Sequence, residues 1–450
     1  MSAAIKCPIV SLSTLALNTK GAIAGGPFGS DLVSRDYVSS GVPVIRGVNL
    51  PKHAKFSFDD VVFVTENKAD SLRLNCASPG DLVFTQRGTL GQVGLVPKDS
   101  PYSRFVVSQS QMKMTVDPNR ADPLYLYYYF RLPSTVVYIE NHALQSGVPH
   151  INLGILKKLQ VICPSLSAQK KIAAILSAYD DLIENNRRRI ALLEKMAEEI
   201  YREWFVRMRF PGHEQAKFEK GVPVGWDCDV ASKFFEHVKG KSYAGDELTE
   251  NPDHMPFITL KSFNRGGGYR ADGLKYYSGK YKDEQVVQQG DVVMAVTDMT
   301  QNREVVGRSA RIPGIGEKGA VISLDVIKLM PKTVSASFLY SYMRLSGFGE
   351  FIKEFANGTN VLHLKPDLVT RQKIVIPPKE LRERFVAIVD PIYDKIDSLN
   401  EAVDHLSASR DMLLPRLISG KLNVEKLDIQ FPPSMLDQPS PPALSLRERE

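Results

Sequence analysis

The stretch GDLVF (80–84) returns as GDVVM (290–294), and QSGVPHINL (145–153) returns as ANGTNVLHL (356–364) at an offset of 211. Each copy continues through a basic, apolar, strand-like run into a proline stop, LQVICP (159–164) and KIVIPP (373–378). A long charged helix pattern follows each stop. One module, a globular unit followed by a long helix, is therefore written twice in a single polypeptide. Such a duplication yields approximate two-fold symmetry from one chain, which suits a target with two separated, non-identical halves.

The helices are the clearest local signal. In the first, Ile172, Leu176, Tyr179, Ile183, Ile190, Leu193, Ala197, Ile200 and Trp204 fall on one stripe; in the second, Phe385, Ile388, Ile392, Ile396, Leu399, Val403, Leu406, Leu413 and Leu417 do the same. A seam sustained over about five heptads is the mark of a coiled coil. At 1.5 Å per residue, roughly 40 residues make a rod on the order of 60 Å long. Neither helix can bury its stripe alone, so the pattern predicts that the two pack on each other, antiparallel. Docking of each helix on its own globular unit is the alternative.

The expected fold class is α+β, with two tandem mixed α/β units at 1–164 and 213–378. Long helices are expected at 165–212 and 379–425, and a Pro-rich, disordered tail at 426–450. In the first unit VPVIRGVNL, DLVFTQRGTLGQVGLV and VVSQSQMKMTV read as strands of a mixed sheet, GGPFGS as a loop, and DPLYLYYYF (122–130) as a helix packed on that sheet. The second unit repeats the order with PFITLKSF, GDVVMAVTDM, AVISLDVIKLM and a helical SASFLYSYMRLSGF.

Composition narrows the function classes. The chain has 450 residues, 43% hydrophobic and 24% charged, with a net charge of +6 that leans toward a polyanionic partner. Its four cysteines, Cys7, Cys76, Cys163 and Cys228, lie far apart without a CxxC pair. That argues against a zinc site or disulfide framework and fits a reducing, cytoplasmic setting. No apolar run approaches the roughly 20 residues needed to cross a bilayer. HExxH and GxSxG are absent, and so is the Asn-Pro-Pro-aromatic signature of amino-methyltransferases. Lys241-Ser242 lacks the upstream glycine of a phosphate loop, because position 235 is Phe235. Gly314-Ile315-Gly316-Glu317-Lys318-Gly319 precedes a strand instead of joining strand to helix, so it reads as a turn-rich loop. The chain is expected to bind, not to catalyse.

The binding candidates sit in glycine-flanked loops. Arg46, Asn49, Gln86, Arg87 and Thr89 in the first unit are side-chain types that reach base edges, arginine to guanine and Asn or Gln to adenine. Lys261, Asn264, Arg265, Thr297, Asp298, Thr300, Gln301 and Asn302 occupy comparable loops of the second. Ordinary turn residues would look the same one by one; their recurrence in both repeats favours a recognition surface. Lys170, Lys171, Arg187, Arg188 and Arg189 fit either phosphate contacts or a solvated helix face.

With these features in place, residues 1 to about 425 resemble the DNA-specificity subunit of type I restriction-modification systems. The layout carries the resemblance, together with YREWFVRMRFPGHE (201–214), GVPVGW (221–226), GGPFGS, IRGVNL, GDLVFTQRGTLG and GDVVMAVTDMTQN. The helix entries CPSLSAQ and PPKELRE depart from the family's usual Pro-Pro-x-x-Glu-Gln. The resemblance implies two target recognition domains, each reading half of an asymmetric, bipartite duplex target, with the helices setting the gap. It implies two methyltransferase subunits and motor-nuclease subunits as partners. S-adenosylmethionine, ATP and Mg would be used by those partners, and no cofactor or metal would be held by this chain. A coiled-coil adaptor that reads no DNA, or service in a methylation-only or related phage-defence system, are the alternatives.

Overall fold

A computed structural model describes residues 7–52, 54–144 and 148–435. The chain divides into two compact units, one from 1–185 together with 405–450, the other from 186–404. Each long helix has residues in both units.

Unit one carries two four-stranded sheets where a single mixed sheet was expected. The first runs Ile23–Gly25, Gln111–Met114, Leu82–Thr85, Val93–Leu95, all antiparallel. The second runs Val62–Val64, Val42–Ile45, Phe105–Val107, Cys76–Ala77, with Val42–Ile45 and Phe105–Val107 parallel. The tyrosine-rich segment forms helix Pro123–Arg131, where Asp122 caps the N-terminus by accepting from the Tyr125 amide at 2.9 Å. Every side chain from Tyr125 to Phe130 is buried. Tyrosine suits this position because its ring fills the core while its hydroxyl finds a carbonyl. Tyr125 donates to Ile162 O at 2.7 Å and Tyr129 to Gln160 O at 3.0 Å.

The same core takes in both helices. Ala168, Ile172, Ala173 and Leu176 from the start of helix Leu166–Tyr201 share it with Leu414, Leu417 and Ile418 from the end of helix Lys379–Ile418. Asp180 accepts from Arg410 at 2.7 Å and from the Tyr128 hydroxyl at 2.6 Å. Lys171 donates to the Glu425 and Leu427 carbonyls, both at 2.8 Å. The start of the first helix therefore meets the end of the second. Residues 426–435, expected to be disordered, are held here: Ser434 bonds Asp181, and Ile429 and Met435 pack on the core. The rest of the expected tail, 436–450, lies outside the described residues.

Unit two repeats the plan. One sheet runs Phe235–Lys239, Val326–Pro331, Val292–Ala295, Ser309–Arg311, and the other Leu248–Thr249, Lys275–Tyr277, Met255–Ile258, Ala320–Ile322, Val286–Val287. Helix Ala336–Leu345 is capped by Ser335, which accepts from the Phe338 amide at 3.2 Å. Its core joins Ala197, Tyr201 and Phe205 to Leu381, Phe385 and Val389. The Tyr201 and Phe385 rings lie 5.8 Å apart, edge to face.

Several boundaries differ from the periodicity. The first helix is α-helical only to Tyr201 and closes with a π turn, Arg202–Val206, instead of reaching 212. Near that end Tyr201 and Phe205 are buried while Ile200 and Trp204 are half-buried, so the buried stripe runs through Ala197, Tyr201 and Phe205. The second helix stops at Ile418, before the left-handed Gly420 (φ 74°), instead of 425. On it Ile388 is 41% exposed and Val389 faces the core. The duplication also has a different register around the repeated segment. Leu144 pairs with His150, and Asn357 with His363, which puts His363 at the place of His150, an offset of 213 and not 211. Among the described residues no helix is long and apolar enough to cross a membrane.

The Asp180–Arg410 pair is the polar anchor of unit one, with side chains only 17% and 12% exposed. Removing one member of a buried pair strands the other, at a cost of roughly 3 kcal/mol or more. Arg410→Ala should therefore lower the unfolding free energy measured in urea by that much and move the midpoint down with it. The double change Asp180→Asn with Arg410→Met should recover most of the loss. An unchanged midpoint for Arg410→Ala would show that the pair contributes nothing net.

Candidate nucleic-acid interface

Four loops of unit one converge at one end of its first sheet. Gln86 donates its amide to Ser110 O at 2.7 Å and accepts at its carbonyl from the Ile151 amide at 3.0 Å. Gly26 donates to Gln111 O at 2.8 Å, and Gln109 reaches Gly29 O through Nε2 at 3.0 Å. Only glycine can stand at position 26, because a Cβ there would lie 2.0 Å from Ser108 O. The backbone of the 86–91 loop is thus pinned, and its side chains are left outward. Arg87 and Thr89 are exposed, on either side of left-handed Gly88 (φ 103°). Phe28, at the tip of the GGPFGS loop, is 80% exposed.

The same frame recurs in unit two. A Cβ on Gly240 would lie 2.0 Å from Ser323 O, Val296 donates to Asp325 O at 2.8 Å, and Leu364 donates to Val296 O at 2.8 Å. What differs is the loop it carries. In unit one the closing bond runs from Thr85 N to Gln92 O at 3.1 Å; in unit two it runs from Ala295 N to Arg308 O at 2.9 Å. The enclosed segment grows from 86–91 to 296–307. A loop that long needs internal support, and Asp298 supplies it. Its carboxylate accepts from the Thr300 amide and hydroxyl, both at 2.9 Å, and from the Val305 and Val306 amides at 2.7 and 3.1 Å. Burial opposes ionisation of Asp298, but those donors outweigh it and hold its pKa below the ordinary 3.8.

The sequence candidates therefore separate into two groups. Arg87, Thr89, Thr300, Gln301 and Asn302 are exposed on these loops, with Gln86 half-buried at their base, and Lys261 is exposed beside the neighbouring hairpin of unit two. Gln301 is steadied by donating to Thr359 O at 2.8 Å. Arg265 and Asn264 are exposed on the neighbouring hairpin; Arg265 meets Glu304 of the long loop at 3.1 Å, and Asn264 donates to Tyr269 O at 3.0 Å. Asn49, Thr297 and Asp298, by contrast, are buried and cannot reach a base edge. Asn49 accepts from Arg46 N at 2.9 Å and donates to the Ser57 and Asp59 carbonyls at 3.1 and 3.0 Å. Thr297 sits opposite His363 with its hydroxyl 3.4 Å from Nδ1. The Arg46 guanidinium is engaged with the Asp60 carbonyl. Lys171, weighed as a phosphate contact, is held by the carbonyls at 425 and 427.

Two exposed apolar side chains went unread in the sequence, Phe28 in unit one and Met299, 68% exposed, in unit two. The available signal was a large apolar residue among small polar ones at a loop tip. Together these loops offer hydrogen-bonding side chains, a guanidinium and an apolar contact on a rigid base, the ingredients of base-edge readout. No cluster of three or more metal-ligating side chains occurs among the described residues.

The chain is similar to known proteins. A type I restriction modification DNA specificity domain is matched over residues 56–195. The chain is 25% identical over 422 residues to the type I restriction enzyme MjaIX specificity subunit of Methanocaldococcus jannaschii, covering 90% of this chain and 92% of that one. It is 22% identical to the HindI specificity subunit of Haemophilus influenzae, covering 76% and 86%. Its fold is similar to that of the type I restriction-modification S subunit from M. genitalium, with a TM-score of 0.54 at 16% identity, over 93% of this chain and 98% of that one.

Asp298 holds the long loop only while ionised, and a depressed pKa means this support is present above the ordinary aspartate value and is lost as pH falls through the lowered one. At neutral pH, Asp298→Asn removes the charge from bonds worth about 1.5–3 kcal/mol each. Amide exchange at Val305 and Val306 should accelerate at least about tenfold, while the 292–295 strand keeps its protection. Equal protection in both proteins would mean that the loop is held by something else.

Proposed function

We propose that this chain, a member of the type I restriction-modification DNA specificity subunits, recognises an asymmetric, bipartite duplex target, one half through each unit. Specificity subunits bind DNA and act in complexes with other subunits, and they supply the address without catalysing a reaction. The observation that carries the bipartite reading is the repeated loop frame with unequal loops. Identical backbone bonds hold segment 86–91 in one unit and 296–307 in the other. A constant base with variable loops binds the same kind of ligand in both units while reading different bases.

In unit one Arg87 is the candidate for bidentate contact to guanine, with Thr89 and Gln86 beside it and Phe28 as an apolar contact to a thymine methyl or a base step. In unit two Thr300, Gln301, Asn302 and Met299 take those roles, with Lys261 and Arg265 on the adjoining hairpin. The partners that fit are two methyltransferase subunits, which would use S-adenosylmethionine, and motor-nuclease subunits, which would use ATP and Mg. The complex would work in the cytoplasm. The net charge of +6 supports association with a polyanion and makes it dependent on salt.

Co-expression with the adjacent methyltransferase gene, followed by single-molecule mapping of N6-methyladenine across the host genome, tests the whole reading. A single bipartite motif that disappears when this chain is deleted is the expected outcome. A stable complex that leaves no motif would overturn the DNA-reading function and favour an adaptor. Arg87→Ala should relax one half-site by about 1–3 kcal/mol of base discrimination and leave the other unchanged. Equal loss at both halves would place Arg87 on a phosphate or in support of the fold.

A further inference from the structure

The segment written twice in the sequence carries a histidine near its end, His150 in one copy and His363 in the other, that the recognition loops leave without a role. At the structural offset of 213, residues 143–150 and 356–363 are identical only at Ala143 and Ala356, Val148 and Val361, and His150 and His363. Histidine is the one polar residue kept. In both units it closes the same turn of chain. Leu144 and His150 exchange main-chain bonds of 2.8 and 3.2 Å, and Asn357 and His363 exchange bonds of 3.1 and 2.9 Å. The residue that follows then donates to the root of the recognition loop, Ile151 to Gln86 O at 3.0 Å and Leu364 to Val296 O at 2.8 Å.

That frame fixes where each ring stands. His150 lies across an antiparallel bridge from Arg87, and His363 across one from Thr297. Residues directly opposed in such a bridge point their side chains to the same face. Arg87 and Thr297 hold the second position of their loops, 86–91 and 296–307. His363 is exposed and His150 half-buried. Each unit therefore carries an imidazole at the foot of its recognition loop, in unit one on the face that bears Arg87.

Hydrogen bonds inside the chain give no common reason for the histidine. His150 Nδ1 lies 3.2 Å from Val148 O in its own turn, whereas His363 Nδ1 lies 3.4 Å from Thr297 Oγ1 in the strand opposite. The loops beside the two rings have diverged in length and composition, as reading different bases requires. What both halves of a duplex target share is the sugar–phosphate backbone. A partner subunit bound twice would be shared as well, but the His150 ring stands on the face of Arg87, the candidate for guanine, where the duplex lies. A carbonyl only accepts, so His150 Nδ1 donates to Val148 O and leaves Nε2 for the ligand. Nε2 donates to an anionic oxygen in the imidazolium form, which a neighbouring phosphate favours.

We propose that His150 and His363 are backbone contacts, each ring meeting a DNA phosphate that flanks the bases read by its own unit. The inference rests on the reading of the chain as a DNA specificity subunit and deepens it. Labour is divided within each unit: the loop discriminates between bases, and the histidine fixes the register of the unit on the duplex without regard to sequence.

The test measures binding of a mixed-sequence duplex by the full chain assembled with the methyltransferase subunit encoded beside it, since a phosphate contact does not depend on the bases. His150→Ala and His363→Ala should each weaken binding about threefold to tenfold, and the double variant more than either. His150→Lys and His363→Lys should keep wild-type affinity, because an ammonium also meets a phosphate. On a duplex carrying the mapped methylation motif, each alanine variant should lower affinity for matched and mismatched half-sites by one common factor. A changed ratio makes the histidine a base reader and overturns the proposal. Binding within twofold of wild type in the double alanine variant overturns it as well. Equal loss in the lysine and alanine variants assigns the rings to the fold or to a partner, again against the proposal; the thermal midpoint and the methyltransferase affinity without DNA tell those two apart. A wild-type complex that binds no duplex rejects the DNA-reading function itself, whereas binding that ignores both histidines rejects only the phosphate contacts.

Discussion

Each long helix carries an apolar stripe that it cannot bury on its own, and the rest of the structure follows from how that stripe is covered. The start of the first helix shares a core with the end of the second, and the end of the first shares another with the start of the second. Both globular cores are thus closed by segments far apart in sequence. Within unit one, the Asp180–Arg410 pair, reinforced by Tyr128, sits at such a meeting point. Charges this well covered are stable only together, which makes the pairing of helix segments specific as well as favourable.

On that base the two units solve one problem twice. A glycine that nothing larger can replace, at 26 and again at 240, brings a loop against the backbone of Ser108 or Ser323. Bonds from neighbouring strands then fix the root of the recognition loop. Because the root is held by main-chain groups, the loop can change length and composition without disturbing the frame. The cost of the longer version is internal support, which Asp298 provides through four bonds to its own loop.

Polar residues in glycine-flanked loops were the ambiguous part of the sequence. Arg87 and Asp298 occupy similar settings as text, the second and third residues of loops that follow a GD-apolar strand. One projects outward and the other is 2% exposed. The difference is loop length: a short loop has no interior, whereas a twelve-residue loop has one and fills it with a carboxylate. Asn49 departs from its local pattern for a related reason, since its amide bonds carbonyls eight and ten residues away that no local pattern announces.

The duplication, the two long helices, the strand-rich units and the tyrosine helix were legible because each is a local or repeated pattern, set by hydrophobic period and by proline and glycine punctuation. The sequence by itself determined that architecture and the set of loops in which recognition resides. Tertiary structure alone decided which polar side chains of those loops face inward and that residues 419–435 return to unit one. Those outcomes depend on which distant groups meet, as Lys171 meets residue 425 and Arg311 meets Asp397. A side chain's burial is a property of its neighbours in space, and a linear pattern does not contain them.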